Sequence, residues 1–96
     1  MDNFRFNEEK DKLLKVQRGF GFKIVIKYIE KGNVVKVINN PNKQKYPNQK
    51  MYLIKVRNKI VIVPYIEETN FHFLKTVYPS QKYTKIYLEK KLKVYK

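Results

Sequence analysis

The chain has 96 residues, which is enough for one small domain with one hydrophobic core. Hydrophobic residues make up 43% and aromatic residues 15%, a composition typical of a folded protein. Because the chain has no cysteine and one histidine, disulfide bonds, a cysteine nucleophile and sites that need two histidines are excluded. No apolar run approaches the ~20 residues of a membrane-spanning helix, and the acidic start is unlike a signal peptide. We therefore expect a cytoplasmic protein, a single domain over 1–96, with no membrane partner.

Lysine and arginine outnumber aspartate and glutamate by 22 to 8, which gives a net charge of +14. Residues 31–96 carry +12 of this charge, and no acidic side chain lies between Lys31 and Ile66. Such a field attracts phosphate backbones, an acidic protein partner, or both. An AT-rich genome also produces an excess of Lys, Asn, Ile and Tyr, so lysines without a function are the alternative.

The first thirty residues predict a short strand and two helices. Phenylalanines alternate with polar residues over 4–6, which favours a strand. Asn7 is a suitable N-cap for a helix over about 7–17, which Gly19 and Gly21 then end.

The next segment, FKIVIKYIEKG, fits the period of a strand and that of a helix equally well. Its Gly32 resembles a helix C-cap, and for that reason we favour a second helix here.

The remainder of the chain predicts a sheet and a last helix. The segments in chain order are a strand over Val34–Ile38, a polar loop over 39–50, strands over Met51–Arg57, Lys59–Glu67 and Phe71–Tyr78, and a helix from Pro79 through about Leu92. Pro64 predicts a bulge or an edge position within its strand. The order β–α–α–β–β–β–β–α indicates an α+β sandwich with an antiparallel sheet of about four to five strands.

Alternation along the predicted strands separates a buried face from an open one. The residues that we expect beneath helices are Tyr52, Ile54, Val56, Phe71, Phe73 and Val77. The residues that we expect on the open face are Lys55, Arg57, His72, Thr76 and Tyr78, with Tyr65 as a further candidate. A basic sheet face that carries aromatic rings and one histidine suits RNA, although ordinary solvated residues would look similar.

The motifs discount most other chemistry. A two-metal nuclease needs several converging carboxylates, whereas Glu67 and Glu68 are adjacent and should point apart on a strand. No glycine-rich phosphate loop is present, and we expect neither a metal nor a cofactor. Metal-free RNA cleavage stays possible, because the RNA supplies its own 2′-hydroxyl nucleophile and the protein supplies positioning, cations and a proton carrier. Histidine ordinarily exchanges a proton near neutral pH, which makes His72 the candidate carrier.

Three short motifs together resemble the BrnT family of toxins. They are F-x-F-N-E-E-K at 4–10, R-G-F-G-F at 18–22, and F-L-K-T-V-Y-P-S-Q-K at 73–82. The resemblance implies a RelE-like fold with two N-terminal helices and a C-terminal helix. It also implies a bacterial toxin that cleaves mRNA and is neutralised by a cognate antitoxin.

The resemblance places Lys75, Lys50 and Arg18 at basic positions of the family. The family's terminal segment is usually rich in arginine, whereas this chain has Ser80, Gln81 and Thr84 at or near those positions. Lys82 and Lys85 can replace the charge but not the bidentate phosphate contact of arginine.

The leading hypothesis is therefore a type II toxin that acts as a metal-independent endoribonuclease, with RNA and an antitoxin bearing an acidic segment as partners. Its candidate catalytic residues are His72, Lys75 and Tyr78. Its candidate phosphate-binding residues are Arg18, Lys50, Lys55, Arg57, Lys82 and Lys85. The alternatives are a non-catalytic RNA- or DNA-binding module and a small protein whose charge serves only an acidic partner.

Overall fold

The computed structural model describes residues 3–89 and is an α+β protein, as the sequence predicts. The strands are Phe4–Phe6 (β1), Val34–Asn39 (β2), Gln49–Val56 (β3), Lys59–Glu67 (β4), His72–Leu74 (β5) and Tyr78–Ser80 (β6). The helices are Glu8–Arg18 (α1), Phe22–Glu30 (α2) and Gln81–Thr84 (α3), and α3 continues as a π-helical turn over Lys85–Glu89. No described helix is long and apolar enough to cross a membrane.

Both N-terminal helices begin and end where local chemistry favours it. The Asn7 side chain accepts a hydrogen bond from the Lys10 backbone N–H at 2.9 Å, which caps α1. Gly19 adopts a left-handed φ of 84° after its last turn, and Gly32 adopts 87° after α2. The prediction of a helix rather than a strand over the second segment is confirmed.

A buried carboxylate joins the two helices. The Asp11 side chain is 2% exposed, and its Oδ1 accepts a hydrogen bond of 2.7 Å from the backbone N–H of Phe22. Lys15 lies one turn further along α1 and approaches Oδ2 at 3.2 Å. Asp11 therefore caps α2 from outside, because Gly21 at the N-cap position has no side chain to do so.

The sheet has six strands and is mixed, so the prediction of four to five antiparallel strands is wrong. Its order is β1-β5-β4-β3-β2, and β6 pairs with the first part of β4. β1 runs parallel to β5, while the other pairs are antiparallel. Local patterns could not show this arrangement, because the first strand pairs with a strand some seventy residues away.

The segment predicted as one strand over Phe71–Tyr78 is two strands, separated opposite Val63 and Pro64. Leu74 pairs with Tyr65, and Tyr78 pairs with Ile62. Proline has no N–H to donate to a neighbouring strand, which favours an interruption of the ladder there. The Pro64 carbonyl instead accepts a hydrogen bond of 2.8 Å from the Lys75 backbone N–H.

Two apolar cores lie on opposite faces of the sheet. The first core packs against α1 and α2 and consists of Leu14, Phe22, Val25, Tyr52, Ile54, Val61, Val63, Tyr65, Leu74 and Val77. The second core lies beneath α3 and the π-helical turn and consists of Met51, Leu53, Ile60 and Ile62, with Tyr78, Tyr83 and Tyr87 packed against them. Both faces are therefore covered in part, and the sheet has no single open face.

The last helix begins two residues later than predicted. Tyr78–Ser80 form a strand, and Ser80 caps the helix by accepting a hydrogen bond of 3.1 Å from the Tyr83 N–H. Proline at the second position of this strand is tolerated because β6 pairs only with β4 among the described residues. The predicted end of the helix near Leu92 lies outside the described residues.

Candidate functional site

Five polar and aromatic side chains converge at one end of the sheet, on the face that carries α1 and α2. Lys50 of β3 is opposite Tyr65 of β4, and Glu67 of β4 is opposite His72 of β5. Tyr52 lies two residues after Lys50 and therefore on the same face. These five residues, Lys50, Tyr52, Tyr65, Glu67 and His72, are called the His72 cluster below.

The His72 imidazole is held at both of its nitrogens. Its Nδ1 lies 2.7 Å from the Tyr52 hydroxyl, and its Nε2 lies 3.7 Å from Oε2 of Glu67. The Lys50 ammonium donates a hydrogen bond of 2.8 Å to the other carboxylate oxygen, Oε1. Tyr65 stacks on both Tyr52 and the imidazole, with centroid distances of 4.3 and 4.8 Å. These contacts fix the orientation of the imidazole ring.

The cluster has a buried base and a solvent-facing edge. Tyr52 and Tyr65 are buried, the His72 side chain is 20% exposed, and the Lys50 and Glu67 side chains are about half exposed. Substrate could therefore reach the imidazole, the carboxylate and the ammonium without any rearrangement of the core.

Charge and burial shift three pKa values in the cluster. The hydrogen bond and positive charge of Lys50 lower the pKa of Glu67, which is therefore a carboxylate at neutral pH. The same contact with Glu67 raises the pKa of Lys50. Burial raises the pKa of the Tyr65 hydroxyl, so this ring is neutral at physiological pH. The edge of the cluster thus presents one anion, one cation and one imidazole.

Such a set can move protons and hold an anion. A carboxylate that is ionised at neutral pH can accept a proton from a substrate hydroxyl, and an imidazole can donate or accept one. An ammonium group beside them can stabilise negative charge on a phosphate. No additional group is needed for acid–base chemistry at a phosphodiester.

Of the predicted site residues, His72 and Lys50 meet in this cluster. The prediction that His72 lies on the face opposite Tyr52 is wrong, because the register places both on the α1 and α2 face. The prediction failed because it applied one alternating pattern to the whole of Phe71–Tyr78, although this segment is interrupted between β5 and β6. Tyr65 was a further candidate for the open face, but it is 3% exposed and belongs to the first core, where its ring stacks on His72.

Lys75 and Tyr78 do not join His72. Lys75 follows β5, is exposed, and places its ammonium 5.4 Å from the Phe73 ring centroid. Tyr78 packs into the second core on the other side of the sheet, where its hydroxyl donates to the Met51 sulfur at 4.0 Å. Burial raises the pKa of this hydroxyl. The structure therefore separates the three predicted catalytic residues.

The other predicted phosphate-binding residues are dispersed. Lys55 is exposed and lies opposite Ile60, on the side of the second core. Lys82 and Lys85 are exposed on α3 and the π-helical turn. Arg18 and Arg57 line a common cavity at the end of the sheet away from His72.

Sequence reasoning missed Tyr52 and Glu67 as site residues. Tyr52 was assigned to the core, and Glu67 was discounted because Glu68 points away from it. One feature of the sequence could have indicated them. Lys50 and Tyr52 are two residues apart where one predicted strand begins, and Tyr65 and Glu67 are two residues apart at the end of the next, so each pair shares a face. Their convergence depends on cross-strand register, which the sequence does not state.

Residues 3–89 contain no group of three His, Asp or Glu side chains placed to hold a metal ion. Comparisons with protein-family models, with curated proteins and with solved structures find no match to this chain. The function proposed for the protein therefore rests on its own residues.

Proposed function

We propose that this protein is a metal-independent endoribonuclease that cleaves RNA at the His72 cluster. The observation that carries the proposal is the placement of His72 between the Tyr52 hydroxyl and the Glu67 carboxylate, with Lys50 beside them. A net charge of +14 provides the long-range attraction for a phosphate backbone.

The reaction uses the RNA's own nucleophile. Glu67 accepts the proton of a 2′-hydroxyl, and the 2′-oxygen attacks the adjacent phosphorus. The bond from phosphorus to the 5′-oxygen breaks, and His72 in its protonated form donates a proton to that leaving oxygen. The products are a 2′,3′-cyclic phosphate and a 5′-hydroxyl, so the reaction needs no water and no redox partner.

Lys50 and Tyr52 assist in different ways. The Lys50 ammonium stabilises the charge that builds up on the phosphate oxygens, which is the role of a preorganised cation. The Tyr52 hydroxyl orients the imidazole through Nδ1, so that Nε2 faces the substrate side and Glu67.

As a biological class, we propose a RelE-like toxin of a type II toxin–antitoxin pair, acting on mRNA in the cytoplasm. Support comes from the α+β architecture with two N-terminal helices, from the BrnT-like motifs, and from the basic surface. An antitoxin with an acidic segment is the partner that this charge favours.

The chemical proposal is tested with the purified full chain and a fluorescent single-stranded RNA in excess EDTA. We expect cleavage that leaves a 2′,3′-cyclic phosphate. His72→Gln and Glu67→Gln should each lower the rate by ~10²-fold or more, because each removes a proton-transfer group. Lys36→Gln is the matched control, since it changes the charge of an exposed lysine on the other side of the sheet.

RNA binding is measured in parallel by fluorescence anisotropy. Binding without cleavage by the wild-type chain would contradict the enzyme and support the non-catalytic binding module. Cleavage that survives in both variants would place the chemistry outside the His72 cluster.

The biological proposal has its own test. Expression of the wild-type chain alone in bacteria should arrest growth, and His72→Gln should abolish the arrest at equal levels of folded protein. Normal growth with soluble wild-type protein accumulating would rule out a toxin.

A further inference from the structure

A second cavity lies at the opposite end of the β3–β4 hairpin from the His72 cluster. It has a volume of about 430 Å³. Arg18, Arg57 and Lys59 contribute its cationic lining, which is called the rim below. Phe20 and Tyr28 contribute its aromatic lining, which is called the floor. These five residues and the cavity that they line are called the arginine recess below.

The cations of the arginine recess have no internal counterion. Within residues 3–89, neither arginine nor Lys59 forms an ion pair or a side-chain hydrogen bond, and no carboxylate lines the cavity. Two of the three arginines of the chain nevertheless lie at this one cavity. Because guanidinium groups match phosphate in a bidentate geometry, the recess is suited to an external phosphate.

The backbone at Arg57 is unusual. This residue has a φ of 58°, which is the left-handed region, in the tight turn between β3 and β4. Arg57 is the single non-glycine residue with a positive φ among the described residues. Glycine adopts this conformation without a steric cost, whereas arginine does not. Strained positions of this kind are concentrated at ligand-binding sites, and the proposal below uses the Arg57 side chain.

The floor of the arginine recess is apolar. Phe20, Tyr28 and Val56 pack against the first core, and the exposed side chain of Ile24 lies beside them. An apolar floor together with a cationic rim suits a nucleobase attached to a phosphate, since bases stack on aromatic rings while arginine binds the phosphate. An acidic peptide would use the rim but would leave the aromatic floor without a stacking partner.

We propose that the arginine recess binds one nucleotide unit of RNA, phosphate on the rim and base on the floor. This inference rests in part on the proposed function, because it assigns the recess to the same substrate. Lys50 and Arg57 are seven residues apart on one strand and its turn, which spans roughly 23 Å at ~3.3 Å per residue. About seven stacked nucleotides cover that distance at ~3.4 Å each. The recess therefore holds a nucleotide distant from the bond that is cleaved.

The test begins with single nucleotides, so that it does not depend on cleavage. The full chain is titrated with 5′-AMP, with inorganic phosphate and with adenosine, and binding is followed by chemical-shift changes in the NMR spectrum. We expect 5′-AMP to bind most tightly and to shift the signals of Phe20 and Tyr28. Adenosine should bind at least fivefold more weakly, because it lacks the phosphate.

Two variants and a control locate the binding. Arg57→Gly removes the guanidinium but fits the left-handed turn, so its thermal midpoint should be unchanged or higher. Arg57→Gly and Arg18→Gln should each weaken 5′-AMP binding at least fivefold, whereas Lys12→Gln, with the same loss of charge on α1, should not. Equal affinities in the wild type and both arginine variants would overturn the proposal. Binding of a polyglutamate peptide without binding of 5′-AMP would also overturn it, in favour of a protein partner.

RNA length then connects the recess to substrate. Affinity for a 12-nucleotide RNA should fall in Arg57→Gly, and the slope of log affinity against log salt should decrease by about one. Cleavage of a dinucleotide, which is too short to reach the recess, should be unchanged. If Arg57→Gly binds long RNA as tightly as the wild type, the recess proposal fails while the enzyme proposal stands. If 5′-AMP binds at the recess but no RNA is cleaved, the recess proposal stands while the enzyme proposal fails.

Discussion

The hydroxyl of Tyr52 lies 2.7 Å from Nδ1 of His72, although the two residues belong to strands that are not neighbours. β4 separates β3 from β5, and the Tyr65 ring of β4 stacks on both side chains. The imidazole is therefore oriented by three strands at once. An exposed loop histidine would not have its ring position fixed in this way.

Tyr52→Phe should separate orientation of the imidazole from proton transfer. The variant keeps the stacked ring and removes the hydroxyl that faces Nδ1. A single hydrogen bond contributes about 0.5–1.5 kcal/mol, so we expect RNA cleavage to fall by up to about tenfold. The NMR signals of the His72 ring should also change, because Nδ1 loses its hydroxyl partner. Tyr87→Phe, on the other side of the sheet, is the control, and a loss of 10²-fold or more in Tyr52→Phe would instead indicate a direct role in proton transfer.

The pH profile of cleavage should depend on Lys50. Glu67 has to be ionised to accept a proton, and Lys50 lowers its pKa, so the wild-type activity should persist to a lower pH than an ordinary glutamate allows. In Lys50→Gln the pKa of Glu67 should rise, and the acid limb of the profile of kcat/KM should move to higher pH. An acid limb that stays in place would show that a different group accepts the proton. Lys36→Gln should leave this limb unchanged.

The Lys50–Glu67 pair should also make stability depend on pH in a defined direction. Because the pKa of Glu67 is lowered on folding, its contribution is present above the unfolded value near 4.5 and is lost as the pH falls through the folded value. Urea unfolding of the wild type and of Glu67→Gln should therefore converge at low pH. A stability difference that is the same at pH 3 and pH 7 would contradict this linkage.

Asp11 should be a stability residue of α1 and α2. Asp11→Ala leaves the buried backbone N–H of Phe22 without its acceptor and should cost about 1.5–3 kcal/mol in the free energy of unfolding. Asp11→Asn keeps an oxygen acceptor and should cost less. Lys15→Ala leaves Asp11 its hydrogen bond from Phe22 and should cost less than Asp11→Ala. A Lys15→Ala cost as large as that of Asp11→Ala would show that the ion pair, rather than the hydrogen bond, is the stabilising contact.

Gly21 should tolerate no side chain because Asp11 occupies the space. A Cβ atom at Gly21 would overlap Oδ1 of Asp11, whereas a Cβ atom at Gly19 would meet no atom within 4 Å. Gly21→Ala should therefore cost about 2–4 kcal/mol, through the clash and the displaced hydrogen bond. Gly19→Ala should cost only about 1 kcal/mol for its left-handed φ.

A double variant tests this explanation of the Gly21 effect. If the overlap with Asp11 is the cause, the cost of Gly21→Ala combined with Asp11→Ala should be smaller than the sum of the two single costs. Additive costs in urea unfolding would mean that the glycine and the carboxylate act independently.

The secondary structure near the N-terminus was predictable because its signals are local. The cap at Asn7, the glycines after α1, and Gly32 after α2 each act within a few residues of the helix end that they define. The α+β class and both strands of the β3–β4 hairpin were also predictable, because the alternation of apolar residues along a strand is a local signal. The prediction of one strand over Phe71–Tyr78 was wrong, because its interruption lies opposite Pro64, which belongs to a different strand.

The site was predictable only in its parts. The sequence by itself determined that the protein would be strongly basic, without cysteine chemistry, and with a single histidine. The tertiary structure decided which residues surround that histidine, since Tyr52, Tyr65 and Glu67 reach it through the register of β3, β4 and β5. It also separated Lys75 and Tyr78 from His72 and brought Arg18 to Arg57. The physical reason is that a shift of one residue in strand pairing moves every side chain to the opposite face, and register is set by the packing of the whole sheet.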